Sequence, residues 1–160
     1  MPTIRKAASK DAPKIKELYL QLMLKFEKIE PYFYAQDRNY WKTKANFRIR
    51  EFMRKKDILF LVLEENKDMV GFVHLVIEKR EQIFKLKNMG YIDALYVKPG
   101  FRKKGYGKLL LKESLKWFKK KGVVFYTIIT SAKDKSANQY WKKRGFREWE
   151  IRYNTKKIIL

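Results

Sequence analysis

Residues 91–121 run as strand, basic glycine loop and amphipathic helix, and no other stretch restricts the fold as much. Tyr91 to Val97 is an apolar, aromatic run suited to a buried strand, Pro99-Gly100 ends it, and from Leu109 the apolar residues recur at helical spacing. A glycine loop therefore opens a helix, where backbone N–H groups lack intrahelical partners and the helix dipole is positive. Gly105 and Gly107 would let a phosphate approach the main chain, and Arg102, Lys103, Lys104 and Lys108 add positive charge around them.

Two common phosphate loops are excluded by spacing. Gly100 and Gly105 are followed by Tyr106-Gly107 rather than the Lys and Ser or Thr of a nucleotide triphosphate loop, and Leu110 stands where a dinucleotide loop needs its third glycine. The remaining pattern, Arg102-x-x-Gly105-x-Gly107 after Leu95-x-Val97-x-Pro99, resembles the pyrophosphate loop of the acyl-CoA-dependent N-acetyltransferase (GNAT) superfamily.

At 160 residues the chain is expected to form one domain, residues 1–160. Without cysteine there are no disulfides, thiolate zinc sites or cysteine nucleophile, and one histidine leaves no His-rich metal cluster. No apolar run approaches the roughly 20 residues of a transmembrane helix, and the N-terminal residues lack the apolar core of a signal peptide, so a cytoplasmic location is expected. Lys and Arg number 39 against 17 Asp and Glu, a formal charge of +22. Such a field attracts polyanions: nucleic acid, ribosomes, anionic membrane or a phosphorylated cofactor. Lys- and Glu-rich composition without cysteine also fits a thermophile.

Along the chain, Thr3 to Ala8 reads as a strand, and Asp11 is placed to cap a helix whose stripe is Ile15, Leu18, Leu22 and Phe26, widened by Tyr19, Met23 and Ile29. A second helical pattern covers Tyr40 to Lys55, after an aromatic loop from Glu30 to Asn39. Residues 58–63 and 70–77 form a hairpin, and the polar stretch 79–88 leads to the central strand. Gly122 caps the central helix; 123–129 reads as a buried strand, 136–143 as a helix ended by Gly145, and 146–153 with 156–160 as a last hairpin.

This order resembles the GNAT fold over essentially the whole chain. The resemblance implies an α+β protein with a mostly antiparallel twisted sheet of six to seven strands, about four flanking helices, and a V-shaped splay between the central strand and the strand after the loop helix. Ser136 to Phe146 resembles the family's second motif, in which a helix ends at Gly-Phe and carries an aromatic four residues before the glycine. Many members have there a tyrosine that protonates the departing CoA thiolate; here it is Trp141, whose indole cannot be the acid, and Tyr140 lies one residue earlier, about 100° around the helix. The family's frequent asparagine eleven residues before that glycine is Asp134.

The resemblance implies transfer of acetyl from acetyl-CoA to a primary amine by direct attack in a ternary complex. The amine would belong to a protein N-terminus, a lysine or a small polyamine-like molecule. Leu95, Tyr96 and Val97 would meet the pantetheine arm, with Leu95 N–H as oxyanion donor, and the loop from Arg102 through Lys103, Lys104, Gly105, Tyr106 and Gly107 to Lys108 would hold the pyrophosphate. Asp134 and Trp141 would complete the cofactor cleft. Asp93 is the candidate base; binding a substrate cation or facing water at the strand edge are its other readings. Tyr140 or solvent would supply the acid. Glu27, Tyr32, Tyr34 and Trp41 would shape the acceptor site through cation–π contact and charge, with ordinary packing or a homodimer contact as the alternative. His74, alternating with Phe72 and Val76, is expected to be a satisfied sheet residue. The competing function is a catalytically weak CoA-binding module attached to the ribosome or nucleic acid.

Overall fold

The computed structural model describes residues 1–31 and 34–150. It contains two compact units, residues 1–129 and 130–160.

The first unit is built on a five-stranded sheet in sequence order: β1 (Thr3–Lys6), β2 (Ile58–Glu65), β3 (Asp68–Lys79), β4 (Asn88–Val97) and β5 (Tyr126–Thr127). The first four are antiparallel to their neighbours, and β5 runs parallel to β4. The β2–β3 connection is the two-residue turn Asn66-Lys67, both at positive φ (51° and 66°), the geometry whose twist matches a tight hairpin. Alternation along the strands divides the unit into layers. Phe60, Val62, Phe72, Ala94 and Tyr96 pack with Ala12, Ile15, Leu18 and Leu22 of α1 (Ala12–Ile29), and Ile49 of α3 (Ala45–Met53) joins them. Between those helices lies α2 (Arg38–Thr43). On the opposite face, α4 (Tyr106–Lys120) buries Leu110, Leu111 and Phe118, and Gly90 lets the Phe118 ring lie against β4, since a Cβ there would be 2.9 Å from it.

Several sequence expectations change. Asp11 does not cap α1: it closes the short 3-10 turn Ser9–Asp11, accepting from Ala8 N–H (2.7 Å), while the Arg5 guanidinium grips both of its oxygens at 2.7 and 3.0 Å. The helical pattern 40–55 divides at Lys44, just after Thr43 spends its hydroxyl on the Asn39 carbonyl (2.8 Å), a back-bond that bends helices. Asp37 caps α2, accepting from the N–H groups of Asn39 and Tyr40. The strand expected over 123–129 shrinks to Tyr126 and Thr127, because only Gly90 and Tyr91 of β4 offer it pairing; Val123 is buried whereas Val124 and Ile129 are exposed. Pairing between β4 and β5 stops at Tyr91 and Thr127. The described residues thus hold five strands and five α-helices, against six to seven and about four.

The second unit contains α5 (Lys135–Lys142), begun by Asp134, whose carboxylate accepts from Ala137 N–H at 3.1 Å, and ended by Gly145 at φ 85°. Residues 146–150 form no strand, and the remainder of the expected last hairpin lies outside the described residues. No described helix is long and apolar enough to cross a membrane.

Candidate active site

The ladder between β3 and β4 slips once. His74 faces Ala94 and Leu75 faces Ile92, so Asp93 is the extra residue of a bulge, a feature that bends a strand and re-aims side chains. From there the Asp93 carboxylate reaches two other elements through one oxygen, Oδ2. Tyr19 of α1 donates its hydroxyl to it, and His74 Nδ1 lies 2.7 Å from it. Burial pushes the Asp93 carboxyl up, but the His74 hydrogen bond and charge, with the Tyr19 hydroxyl, outweigh it and hold the group below the usual carboxylate range. The Tyr19 phenol is pushed far up by burial and by the adjacent Asp93 charge, so it remains a donor.

Asp93 opens onto a pocket of ≈ 440 Å³ between the sheet and the first three helices. Aromatic rings dominate its wall, among them Tyr19, Tyr40, Trp41, Phe52 and Tyr91. Its other carboxylate is Glu78, which burial, then the Asp93 charge, push upward. Arg48 is the cation at its rim, and its guanidinium sits 4.5 Å over the Phe52 ring.

Of the acceptor-site residues named from sequence, Trp41 lines this pocket, anchored by its indole N–H to Gln36 Oε1 (3.1 Å). Glu27 does not; it binds Arg38 at 2.7 Å and braces the segment leading into α2. Tyr34 stacks on Phe26, with ring centroids 5.3 Å apart. Tyr32 lies outside the described residues. Tyr19, His74 and Glu78 were not anticipated as site residues, because the helical period places Tyr19 in the core stripe and only the strand register brings His74 to Asp93.

At the other end of β4 the glycine loop has the expected geometry. Gly105 is the α4 N-cap at φ 83°, with nothing within 4 Å of where its Cβ would be. The first intrahelical bond of this turn runs from Leu109 N–H to Gly105 O (3.1 Å), which leaves the N–H groups of Tyr106, Gly107 and Lys108 ahead of it. Lys103 and Lys108 are exposed. Arg102 turns back, donating Nε–H to the Val97 carbonyl at 2.9 Å, and Lys104 sits 3.8 Å from Glu65. Tyr106 is buried and donates its hydroxyl to Glu65, so its contribution to the loop mouth is main chain. On β4, Leu95 is half-buried, whereas Val97 and Tyr96 are buried, the latter donating to Gln21 Oε1 at 2.9 Å. Beyond Tyr91 this strand has no β5 partner.

Residues 21–146 match the profile of the Acetyltransferase (GNAT) family. The chain belongs to that family. An uncharacterized N-acetyltransferase of Methanocaldococcus jannaschii is 29% identical over 155 residues, 93% of this chain and 62% of the relative. A spermidine N(1)-acetyltransferase of Thermoplasma acidophilum is 30% identical over 108 residues, 68% of this chain and 62% of the relative. The chain thus spans somewhat under two thirds of the length of these two curated relatives. Among solved structures, a predicted acetyltransferase of Clostridium acetobutylicum with acetyl-CoA superposes with a TM-score of 0.79 at 18% identity, covering 98% of this chain and 96% of the other.

In the second unit, Trp141 is buried, with the Phe146 ring 5.1 Å away and the Tyr140 ring 4.9 Å away. The Arg144 guanidinium lies 3.4 Å over the Tyr140 ring. Burial pushes the Tyr140 phenol up, against the opposing charge and hydrogen bond of the adjacent Arg144 guanidinium. Asp134 is buried with its carboxylate engaged at the start of α5.

Proposed function

We propose that the protein transfers an acetyl group from acetyl-CoA to a primary amine of a small polyamine-like cation, within a ternary complex. The observation that carries this reading is the aromatic pocket that Asp93 lines, two residues past the last β4–β5 pair. An alkylammonium group is attracted by aromatic faces and by an ionised carboxylate, and a second carboxylate, Glu78, suits a second positive charge.

The glycine loop fits the pyrophosphate of CoA: main-chain N–H groups at a helix start, open space over Gly105, and the exposed cations Lys103 and Lys108. Leu95, Tyr96 and Val97 lie on the part of β4 between that loop and Asp93, where the pantetheine arm would run, and Leu95 N–H would serve as oxyanion donor. Bound acetyl-CoA supplies an activated acyl carbon. The chain's own work is to hold the amine beside it, to strip the ammonium proton with the help of Asp93, and to stabilise the charge that develops on oxygen. From the resemblance of residues 136–146 to the family's second motif, Tyr140 is the side chain we assign to protonating the leaving thiolate, and Trp141 and Asp134 are assigned to the cofactor. The spermidine acetyltransferase relative supports the choice of acceptor class.

The test is acetyl transfer from acetyl-CoA to spermidine, to a peptide with a free N-terminus and to a blocked peptide with one lysine. Spermidine is expected to give the highest kcat/KM. CoA binding without transfer to any amine would favour the binding-module reading, in which the +22 charge serves a polyanionic partner.

A further inference from the structure

His74 is the sole imidazole of the chain, and it is buried in β3 at 4% exposure. Its ring stacks on Phe60 (centroids 4.1 Å apart, planes at 10°), with Phe52 at 5.7 Å. One edge is committed, Nδ1 to Asp93 Oδ2 at 2.7 Å. The other nitrogen, Nε2, is buried with no hydrogen-bond partner among the described residues, although His74 lines the 440 Å³ pocket. The contact to a carboxylate fixes the tautomer: Nδ1 must carry hydrogen to donate to an ionised oxygen, so a neutral ring has a bare lone pair on Nε2. A buried acceptor without a partner is costly, and a donor brought against it would satisfy it.

Building on the acetyltransferase reading above, we propose that His74 Nε2 takes the proton of the acceptor ammonium, while Asp93 orients the imidazole and stabilises the imidazolium. In this step the ammonium N–H bond breaks and an Nε2–H bond forms. The freed nitrogen lone pair becomes the nucleophile, and the positive charge passes to a ring paired with Asp93. The proton leaves His74 for water once the product departs. Asp93 alone is a poor acceptor because Tyr19 and His74 both donate to its Oδ2 and favour its ionised form. An imidazole is the stronger base of the two side-chain types. The titratable and charged groups around His74 are Asp93 and Tyr91 on β4, Tyr19 on α1, Tyr40 and Arg48 on α2 and α3, and Glu78 on its own strand.

Because the chain has one histidine, nitrogen-15 NMR on tag-free protein reads its tautomer without ambiguity. The expected spectrum at pH 8 is neutral imidazole protonated on Nδ1, with the Nε2 resonance moving when spermidine is added. His74→Asn keeps a donor near the position of Nδ1 and lacks the base. It is expected to bind CoA normally, to lose kcat by about 10²-fold and to lose the acid limb of the pH–rate profile. Protonation on Nε2 in the parent, or parental kcat in His74→Asn at every pH, would overturn the assignment. If the parent acetylates no amine, the functional reading falls on its own, and the tautomer and the spermidine-induced shift still decide whether Nε2 is the group facing the pocket.

Discussion

Asp93 and His74 are joined across a register slip, Oδ2 to Nδ1 at 2.7 Å, so the carboxylate in the central strand cannot be altered without altering the imidazole. Asp93→Asn keeps the shape but no longer holds the Nδ1–H tautomer or balances an imidazolium. Turnover at neutral pH is expected to fall at least about 10²-fold with CoA affinity unchanged, and to recover in part at high pH, where free amine is available. Collapse of CoA binding, measured by calorimetry, would place Asp93 in the cofactor cleft instead.

The same pair predicts acid sensitivity. The folded-state pKa of Asp93 is depressed, so its contribution to stability is complete above the ordinary carboxylate value and is lost as pH falls through the lower, folded value. Denaturation midpoints between pH 2 and pH 5 are expected to fall less steeply for Asp93→Asn than for the parent. Parallel slopes would show that the His74 and Tyr19 contacts do not favour the ionised form.

Gly105 tests the phosphate loop. Its φ of 83° costs an L-residue roughly 1–2 kcal/mol, yet nothing in the protein lies within 4 Å of an added Cβ. A side chain there is therefore opposed by the backbone angle and by whatever approaches the helix start. Gly105→Val is expected to fold with reduced stability and to weaken CoA binding far more than Lys103→Ala, which removes only an exposed, screened charge. Equal, small losses from both in calorimetry would remove the loop from the CoA site.

Much of the frame was readable from periodicity and glycine placement. The stripe of α1, the β2–β3 hairpin and the strand–loop–helix unit around Gly105 each depend on neighbours in sequence, so local pattern suffices. The active-site wall depends on register. His74 reads from sequence as a satisfied sheet residue, and only the slip opposite Asp93 brings that carboxylate to Nδ1, while Nε2 has no partner among the described residues. Tyr19 has helical spacing with the core, and its ring does contact Phe72 at 5.2 Å, yet its hydroxyl is spent on Asp93. Residues 123–129 have the composition of a strand, but pairing with β4 ends at Tyr91 and Thr127. Glu27 shows the limit of charge counting: its carboxylate is occupied by Arg38 of the segment that follows α1.

Gly71 marks how closely β3 approaches β4 near the loop. A Cβ there would lie 2.7 Å from the Tyr96 carbonyl oxygen, which is backbone and cannot swing aside. Gly71→Ala is expected to destabilise the protein by about 1–3 kcal/mol, as overpacking does. Urea denaturation followed by circular dichroism measures it, and an unchanged midpoint would mean that β4 yields without cost.

Tyr140 separates a structural from a chemical role. Its hydroxyl is buried with only the Arg144 guanidinium beside it, and Tyr140→Phe keeps the ring that Arg144 covers, so stability is expected to stay within about 1 kcal/mol of the parent. Burial raises the phenol above its ordinary pKa, so the group keeps its proton through neutral pH and can donate it to a thiolate. Turnover of Tyr140→Phe is therefore expected to drop without a matching loss of stability or CoA affinity. Trp141→Phe, which removes no acid, is expected to retain substantial turnover. The measurement is kcat across pH for both variants beside their thermal midpoints; an undiminished rate in Tyr140→Phe at every pH would assign the thiolate's proton to solvent.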